Sequence, residues 1–464
     1  MLTASTTADM TRAQARTADS SGTLWVAASG TLLVLAVFSA VVTSVGASTS
    51  ALHGTISDQT WTLSGMSLGL AVALLTVGAL ADDFGRRRML LVSTGLLALT
   101  SALAALAPSA DVLIAARILQ GVSGAGVLAA SLGTIGHAFP SGRQRTFATS
   151  VWGSAVGAGI ALGPLAGGAV GDALGWRSSY WLQAIAAALL VPAAVTLDES
   201  RSSQRRPLDF LGAATLAAAM ASLTAGLVEG RDSWSAASTI ALLAGGVVLL
   251  SLFAAIEARR RHPMLELSRF TQPLFVASLS GALATGIAVI GLMSVTPLVL
   301  QLGLQVSVIG SAAVLAAWSA TSMAVALATR PVLGRLNGPS VLALGFAVCA
   351  VGEFALTGLG VGSSWTHVLP GLAIVGIGSG LANSALGRLA VESVPRERAG
   401  LGSGANNTAR YLGGAAGVAL VAALVTGGQS TGAAGLLSGY NTATIVCGTL
   451  CVVGALAAAA CRRS

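Results

Sequence analysis

The chain has 464 residues, of which 54% are hydrophobic and only 9% charged, and its 25 arginines against 17 acidic residues give a formal net charge of +8. Soluble domains carry about 25% charged residues, so this composition excludes a water-soluble globular protein. The apolar runs are roughly 20 residues or longer, the length a helix needs to cross hydrocarbon, which excludes a β-barrel with its alternating segments of about ten residues. What remains is an all-α, polytopic membrane protein, and the 58 glycines suit helices that pack closely in lipid.

From the N-terminus, Met1–Gly22 is polar and rich in Thr, Ala and Ser, and it reads as a short disordered cytosolic tail. The first apolar run is longer than a signal-peptide core of about 7–15 residues, so it is expected to remain as the first helix. Fourteen runs follow, at approximately 24–48, 60–81, 88–107, 110–137, 147–170, 177–197, 208–228, 236–257, 273–300, 306–329, 339–360, 366–391, 400–427 and 438–461. With the N-terminus in the cytosol, twenty arginines fall in cytosolic segments, only Arg177 and Arg231 outside, and Arg117, Arg388 and Arg410 within spans. This asymmetry fixes the orientation, puts both termini in the cytosol and supports an even helix count. The basic charge is thereby a topology signal, and nucleic acid is not needed to explain it.

Two long cytosolic connections, Leu197–Leu208 and Ala258–Gln272, bracket the seventh and eighth runs. The expected organisation is a tail at 1–23, a six-helix bundle at 24–197, a linker region with two helices at 198–272, and a second six-helix bundle at 273–464. Transporters built from such repeats place their substrate sites between the halves near mid-membrane. Every basic residue is Arg, a bias of GC-rich genomes that fits an actinobacterium. Cys349, Cys447, Cys451 and Cys461 all lie in apolar runs and read as small buried hydrophobes.

Three stretches carry mechanism. Between runs 2 and 3 lies Gly78-Ala79-Leu80-Ala81-Asp82-Asp83-Phe84-Gly85-Arg86-Arg87-Arg88. Its glycines permit a tight turn, Asp82 is placed to sit against a helix N-terminus, and the arginines anchor the cytosolic face. Run 4 carries Arg117-Ile118-Leu119-Gln120-Gly121 in its first third. A charge there costs about 2.5–3.5 kcal/mol on the insertion scale, so Arg117 should face a partner or a wet cavity unless it snorkels to the outer interface. Run 5 contains Gly157-Ala158-Gly159-Ile160-Ala161-Leu162-Gly163-Pro164-Leu165-Ala166-Gly167-Gly168, whose four-residue glycine spacing makes a smooth packing face and whose proline introduces a kink.

These stretches resemble the loop signature G-x-L-x-D-x-x-G-R-R, the R-x-x-Q-G motif and the antiporter motif G-x-x-x-G-P-x-x-G-G of the major facilitator superfamily. The linker edges Arg206-Pro207-Leu208-Asp209-Phe210-Leu211-Gly212 and Arg259-Arg260-Arg261-His262-Pro263-Met264-Leu265-Glu266-Leu267 are similar to those of its fourteen-spanner drug:proton antiporters. So is Pro395-Arg396-Glu397-Arg398-Ala399-Gly400-Leu401-Gly402-Ser403-Gly404 running into Asn407-Thr408-Ala409-Arg410-Tyr411-Leu412-Gly413-Gly414. The resemblance implies a gate of Gly78, Asp82, Gly85 and Arg86, a coupling role for Arg117, and an antiporter face of Gly159, Gly163, Pro164, Gly167 and Gly168. It implies a bacterial inner-membrane exporter of lipophilic drugs, antibiotics or natural products, working by proton antiport and alternating access, functional as a monomer and without a cofactor. Export of an endogenous lipid, siderophore or metabolite is the alternative, and a non-transporting sensor the third reading.

Two departures stand out. The first run lacks the acid that this subfamily usually carries there and offers Ser39, Thr43, Ser44 and Ser48 instead. Leu333-Gly334-Arg335-Leu336-Asn337-Gly338-Pro339 keeps only a remnant of the repeated loop motif. Of the acids, Glu353 is the one expected within a span, about 20 Å along the eleventh helix at 1.5 Å per residue, with Asp82 the other proton-coupling candidate. A structural hydrogen-bonding role for Glu353 competes with coupling. Candidates for the drug cavity are Trp61, Met66, Gln120, Trp152, Met293, Gln301, Trp318, Asn383 and Asn407, since aromatic and Met side chains give adaptable contact and amides orient a ligand. The four histidines cluster nowhere, so the expectation is a transporter and not an enzyme, with no metal site.

Overall fold

The computed structural model describes residues 2–139, 142–202, 209–230, 233–260, 263, 265–328, 336–426 and 432–461, with side chains from Ser21 onward except Ile56. The linker-edge residues Arg205 to Leu208, Arg261, His262 and Met264, the loop residues Arg330 and Leu333 to Arg335, and Arg231, Arg462 and Arg463 lie outside the described residues. Among those described there are fourteen helices long and apolar enough to cross a membrane.

They are α1 (Leu2–Ala51), α2 (Ile56–Phe84), α3 (Arg86–Ala105), α4 (Ala110–Ala138), α5 (Arg143–Leu174), α6 (Trp176–Val195), α7 (Phe210–Glu229) and α8 (Ala237–Arg259), followed by α9 (Pro273–Leu304), α10 (Val308–Ala328), α11 (Gly338–Ala355), α12 (Val368–Glu392), α13 (Ala399–Thr426) and α14 (Ala433–Ala460). The stretch expected as a disordered tail instead continues α1 back to Leu2. No glycine or proline interrupts residues 2–20, and Ala, Met, Gln and Arg favour the helix. The eleventh run ends five residues earlier than expected. Gly358 takes a φ of +90°, a conformation side chains resist, and the helix has given way to a loop before it.

In the first half α2 packs on α4, α1 on α5, and α3 on α4 and α6. In the second α11 packs on α12 and α14, α10 on α12, and α9 on α13. Each half has its own apolar core, one around Leu70, Leu74 and Leu128, the other around Leu292, Phe346 and Leu386. Large side chains such as Leu99, Leu189, Val248 and Leu456 stay exposed on the outside, the face a bilayer covers. The halves meet where α13 crosses α2 and α4, and where α10 and α12 cross α5.

The α7–α8 pair is not a loose appendage. Leu216, Ala219 and Met220 of α7 share a core with Leu75 of α2 and Leu401 and Ala405 of α13, so the pair leans on both halves at their seam. Its hinge is capped: Asp209 accepts from the Gly212 N–H at 2.8 Å, and Glu257 at the end of α8 accepts from the Leu265 N–H at 3.1 Å. Within α9, residues Thr285–Ile290 widen into a π-turn. There Gly286 and Gly291 come so close to the α13 backbone that an added Cβ would lie 2.2 Å from Arg410 O and 2.5 Å from Gly417 C. Such turns concentrate at functional sites.

Candidate functional site: a cytosolic latch and a buried polar centre

The cytosolic latch grows from the turn between α2 and α3. Gly85 adopts φ +120°, and a Cβ there would sit 2.5 Å from the Glu199 carboxyl, so only glycine fits. The turn lets Arg86 fold back four residues, and its Nε donates to Asp82 Oδ1 at 3.0 Å, with both side chains fully buried. Asp82 also accepts from the Gly400 N–H at 2.9 Å and the Leu401 N–H at 2.8 Å. These are the unpaired amides at the start of α13, where a carboxylate is favoured by the helix dipole. Arg86 Nη2 reaches on to Arg396 O and Glu397 O at 3.2 and 3.0 Å. Gly78 permits the approach, since a Cβ there would fall 2.4 Å from Gly400 O.

Two further contacts complete the closure. Arg398 donates to Asp83 Oδ1 at 2.8 Å, and Arg396 donates to His137 O, at the end of α4, at 2.7 Å. Sequence reasoning did not assign roles to Asp83, Arg396 or Arg398. The signal was there in the adjacent acids 82–83 and in the arginines just before α13, but nothing local says that the two stretches meet. Together these contacts tie the start of α13 to the ends of α2 and α4.

Arg117 is fully buried, not snorkelling. Its Nε donates to Thr62 O, Nη1 to Val37 O and Gln120 Oε1, and Nη2 to Phe38 O, at 3.3, 3.2, 2.8 and 3.4 Å. Gln120 then donates to Ser101 Oγ at 2.8 Å and Gln183 Oε1 at 3.2 Å. One arginine therefore ties α4 to α1 and α2, and its neighbouring amide ties α4 to α3 and α6. On α1, which carries no acid in this stretch, Arg117 meets only backbone carbonyls, those of Val37 and Phe38.

The glycine face of α5 lies on α1. An added Cβ would come within 2.4 Å of Leu32 O at Gly159, within 2.2 Å of Ser39 Oγ at Gly163, and within 3.0 Å of Ala40 Cβ at Gly167, while Gly168 has 3.4 Å to Thr43. Pro164 sits inside the unbroken helix, where it donates no hydrogen bond.

The remaining predicted residues scatter. Met66 and Met293 are core residues of their halves. Trp318 Nε1 donates to Ser379 Oγ at 3.0 Å, Gln301 to Ser311 Oγ at 2.9 Å, and Asn407 to Ser403 O of its own helix at 3.0 Å. Trp152 is fully buried at the α5–α12 crossing beside Gly387, with Nε1 unpartnered. Asn383 is buried on α12 near Gly153 of α5, and Trp61 is partly exposed. Glu353 lies two residues before the end of α11, nearer the outer surface than the longer expected span implied. It is fully buried beside the Cys451 thiol of α14, with no charged partner among the described residues. Its helix packs on α12, α14 and α9, away from the first half.

Two six-helix halves and an inserted pair, latched across one face of a membrane and with a buried polar centre, define a secondary transporter of small molecules. The chain belongs to the Major Facilitator Superfamily, whose family model matches residues 27–418, and as a multi-pass protein of the bacterial inner membrane it acts by transport and not as an enzyme. It is 33% identical over 392 residues to a probable actinorhodin transporter of Streptomyces coelicolor, covering 81% of this chain and 67% of that one. It is 30% identical over 369 residues to the multidrug resistance protein Stp of Mycobacterium tuberculosis, covering 79% and 68%. Among solved structures, the proton:xylose symporter XylE superposes with a TM-score of 0.70 at 13% identity, covering 95% of both chains, a likeness of fold.

Proposed function

We propose that this protein exports lipophilic drugs, antibiotics or natural products in exchange for protons, by alternating access between its halves. The observation that carries this reading is the antiporter-type glycine face of α5 lying flush on α1, at Gly159, Gly163 and Gly167. Relatives named for actinorhodin transport and multidrug resistance support the direction and the substrate class.

Asp82 is the group through which a proton would act on the gate. As a carboxylate it accepts from Arg86, Gly400 and Leu401 at once. Protonation removes the charge that holds all three, so a proton arriving there loosens α2 from α13 and favours opening to the cytosol. Arg117 would hold the first half rigid while this happens. A second reading places the proton carrier at Glu353, and the full burial of its carboxyl among uncharged groups favours it. The gate is preferred because Asp82 bridges the halves and Glu353 does not.

The test is efflux of lipophilic dyes and antibiotics from cells making the protein, with and without a protonophore. Protonophore-sensitive efflux in the wild type and a loss of about tenfold or more in Asp82→Asn is the expected result. Membrane-inserted protein that moves nothing across a chemically broad panel would sink the drug-export reading and favour one narrow endogenous substrate.

A further inference from the structure

Among the described residues, Arg117 and Arg410 are buried arginines well inside their spans, and they differ in one respect. Arg117 has acceptors for Nε, Nη1 and Nη2. Arg410, only 4% exposed, has none for Nε or Nη2. None of the ion pairs among the described residues includes Arg410. A guanidinium kept in hydrocarbon without an acceptor is costly, and its position is a functional one by default.

The position is central. Arg410 lies eleven residues into α13, about 16 Å from the cytosolic start of the helix at 1.5 Å per residue, which is close to mid-membrane. Helical periodicity puts it on a face shared with Ser403 and Asn406. Ser403 touches Leu128 O of α4 at 3.4 Å, and Asn406 donates to Ser278 O and Oγ of α9 at 2.9 Å. Arg410 therefore lies on the stretch of α13 that packs against a helix of each half. The next residue, Tyr411, meets Phe38 of α1 edge-on with centroids 5.7 Å apart, which places an aromatic wall of both halves beside the cation. One turn back from Arg410, Asn406 Oδ1 is also buried and without a donor.

We propose that Arg410 is the anion-recognising group of the substrate passage, and that the transported molecules include aromatic carboxylates or phenolates carrying a neighbouring hydroxyl. The anion meets the free guanidinium donors, the hydroxyl supplies Asn406 Oδ1, and the ring lies against Phe38 and Tyr411. A charge-assisted bond at this depth is strong because no water competes for it. The proposal deepens the export reading by naming a substrate class, but it concerns binding and stands apart from the direction of transport.

The experiment uses the full chain in lipid nanodiscs, with fluorescent 3-hydroxy-2-naphthoate as probe and its neutral methyl ester as control. The wild type is expected to bind the anion at least about tenfold more tightly than the ester. Arg410→Gln is expected to erase that preference while leaving ester binding unchanged, and Arg410→Lys to keep part of it. Equal wild-type binding of anion and ester overturns the proposal, as does an anion preference that survives in Arg410→Gln. Should Arg410→Gln not insert, the wild-type preference and the Lys variant still decide. Dye efflux that persists without any anion preference would leave the exporter standing and remove only this inference.

Discussion

Arg398, at the threshold of α13, donates to Asp83 of α2 at 2.8 Å across 315 residues of chain. The pair stands next to the Asp82–Arg86 latch and, like it, joins the two halves only on the cytosolic side. Both side chains are about nine-tenths buried, at 10% and 9% exposure, so water screens the pair little. In the proposed alternating-access cycle this pair would have to break each time the cytosolic face opens.

The pair can be tested by reversal. Asp83→Arg and Arg398→Asp should each lower the efflux rate severalfold, because each places two like charges in contact. The double variant restores attraction with the polarity exchanged, and should recover most of the lost rate. A coupling of about 1.5 kcal/mol or more between the substitutions is expected for a close, largely desolvated pair. Additive losses in the double variant would show that the contact is incidental to the cycle.

The α5–α1 seam makes a graded prediction. Gly163→Ala would drive a Cβ to 2.2 Å from Ser39 Oγ and 2.4 Å from Ala36 O, and the second of these is backbone that cannot rotate away. Gly168→Ala meets Thr43 at 3.4 Å, an ordinary contact. Gly163→Ala should therefore lower the thermal stability of the purified protein and cut efflux, at a cost of about 1–3 kcal/mol for overpacking, while Gly168→Ala stays near the wild type. Equal behaviour of the two in a melting series would mean that the seam is not held by backbone contact.

Much of this architecture is legible in the sequence because the membrane imposes it. Apolar runs and one-sided arginines fix fourteen spans and their orientation, since unpaired backbone and charge are both costly in lipid. The placement of Asp82 against a helix N-terminus also follows from residue type, though not which helix: Gly400 and Leu401 belong to a stretch more than 300 residues away. What the sequence hides is the partner. Arg117 calls for a partner or a wet cavity, and only the fold shows that the partners are the carbonyls of Thr62, Val37 and Phe38. Arg410 and Arg117 look alike in one dimension, and only tertiary packing makes one satisfied and the other bare. The cavity candidates rest on residue type, and type does not distinguish Met66 in a core from a side chain lining a passage.

Glu353 separates two accounts of coupling. Its carboxyl is buried beside Cys451 on α14, in the outer wall of the second half, with no cation among its partners. If the proton acts at the Asp82 latch, a neutral replacement of the same shape removes nothing that the cycle uses. Glu353→Gln should then keep protonophore-sensitive efflux within about twofold of the wild type. Glu353→Arg, by contrast, should reduce the amount of protein in the membrane, because an unpaired charge of that size has no acceptor in this wall. Loss of transport in Glu353→Gln with normal membrane levels would move the proton carrier from the latch to α11, and Asp82 would then be a mechanical clasp and not a sensor. The two variants measured side by side, with Asp82→Asn as reference, decide between these accounts.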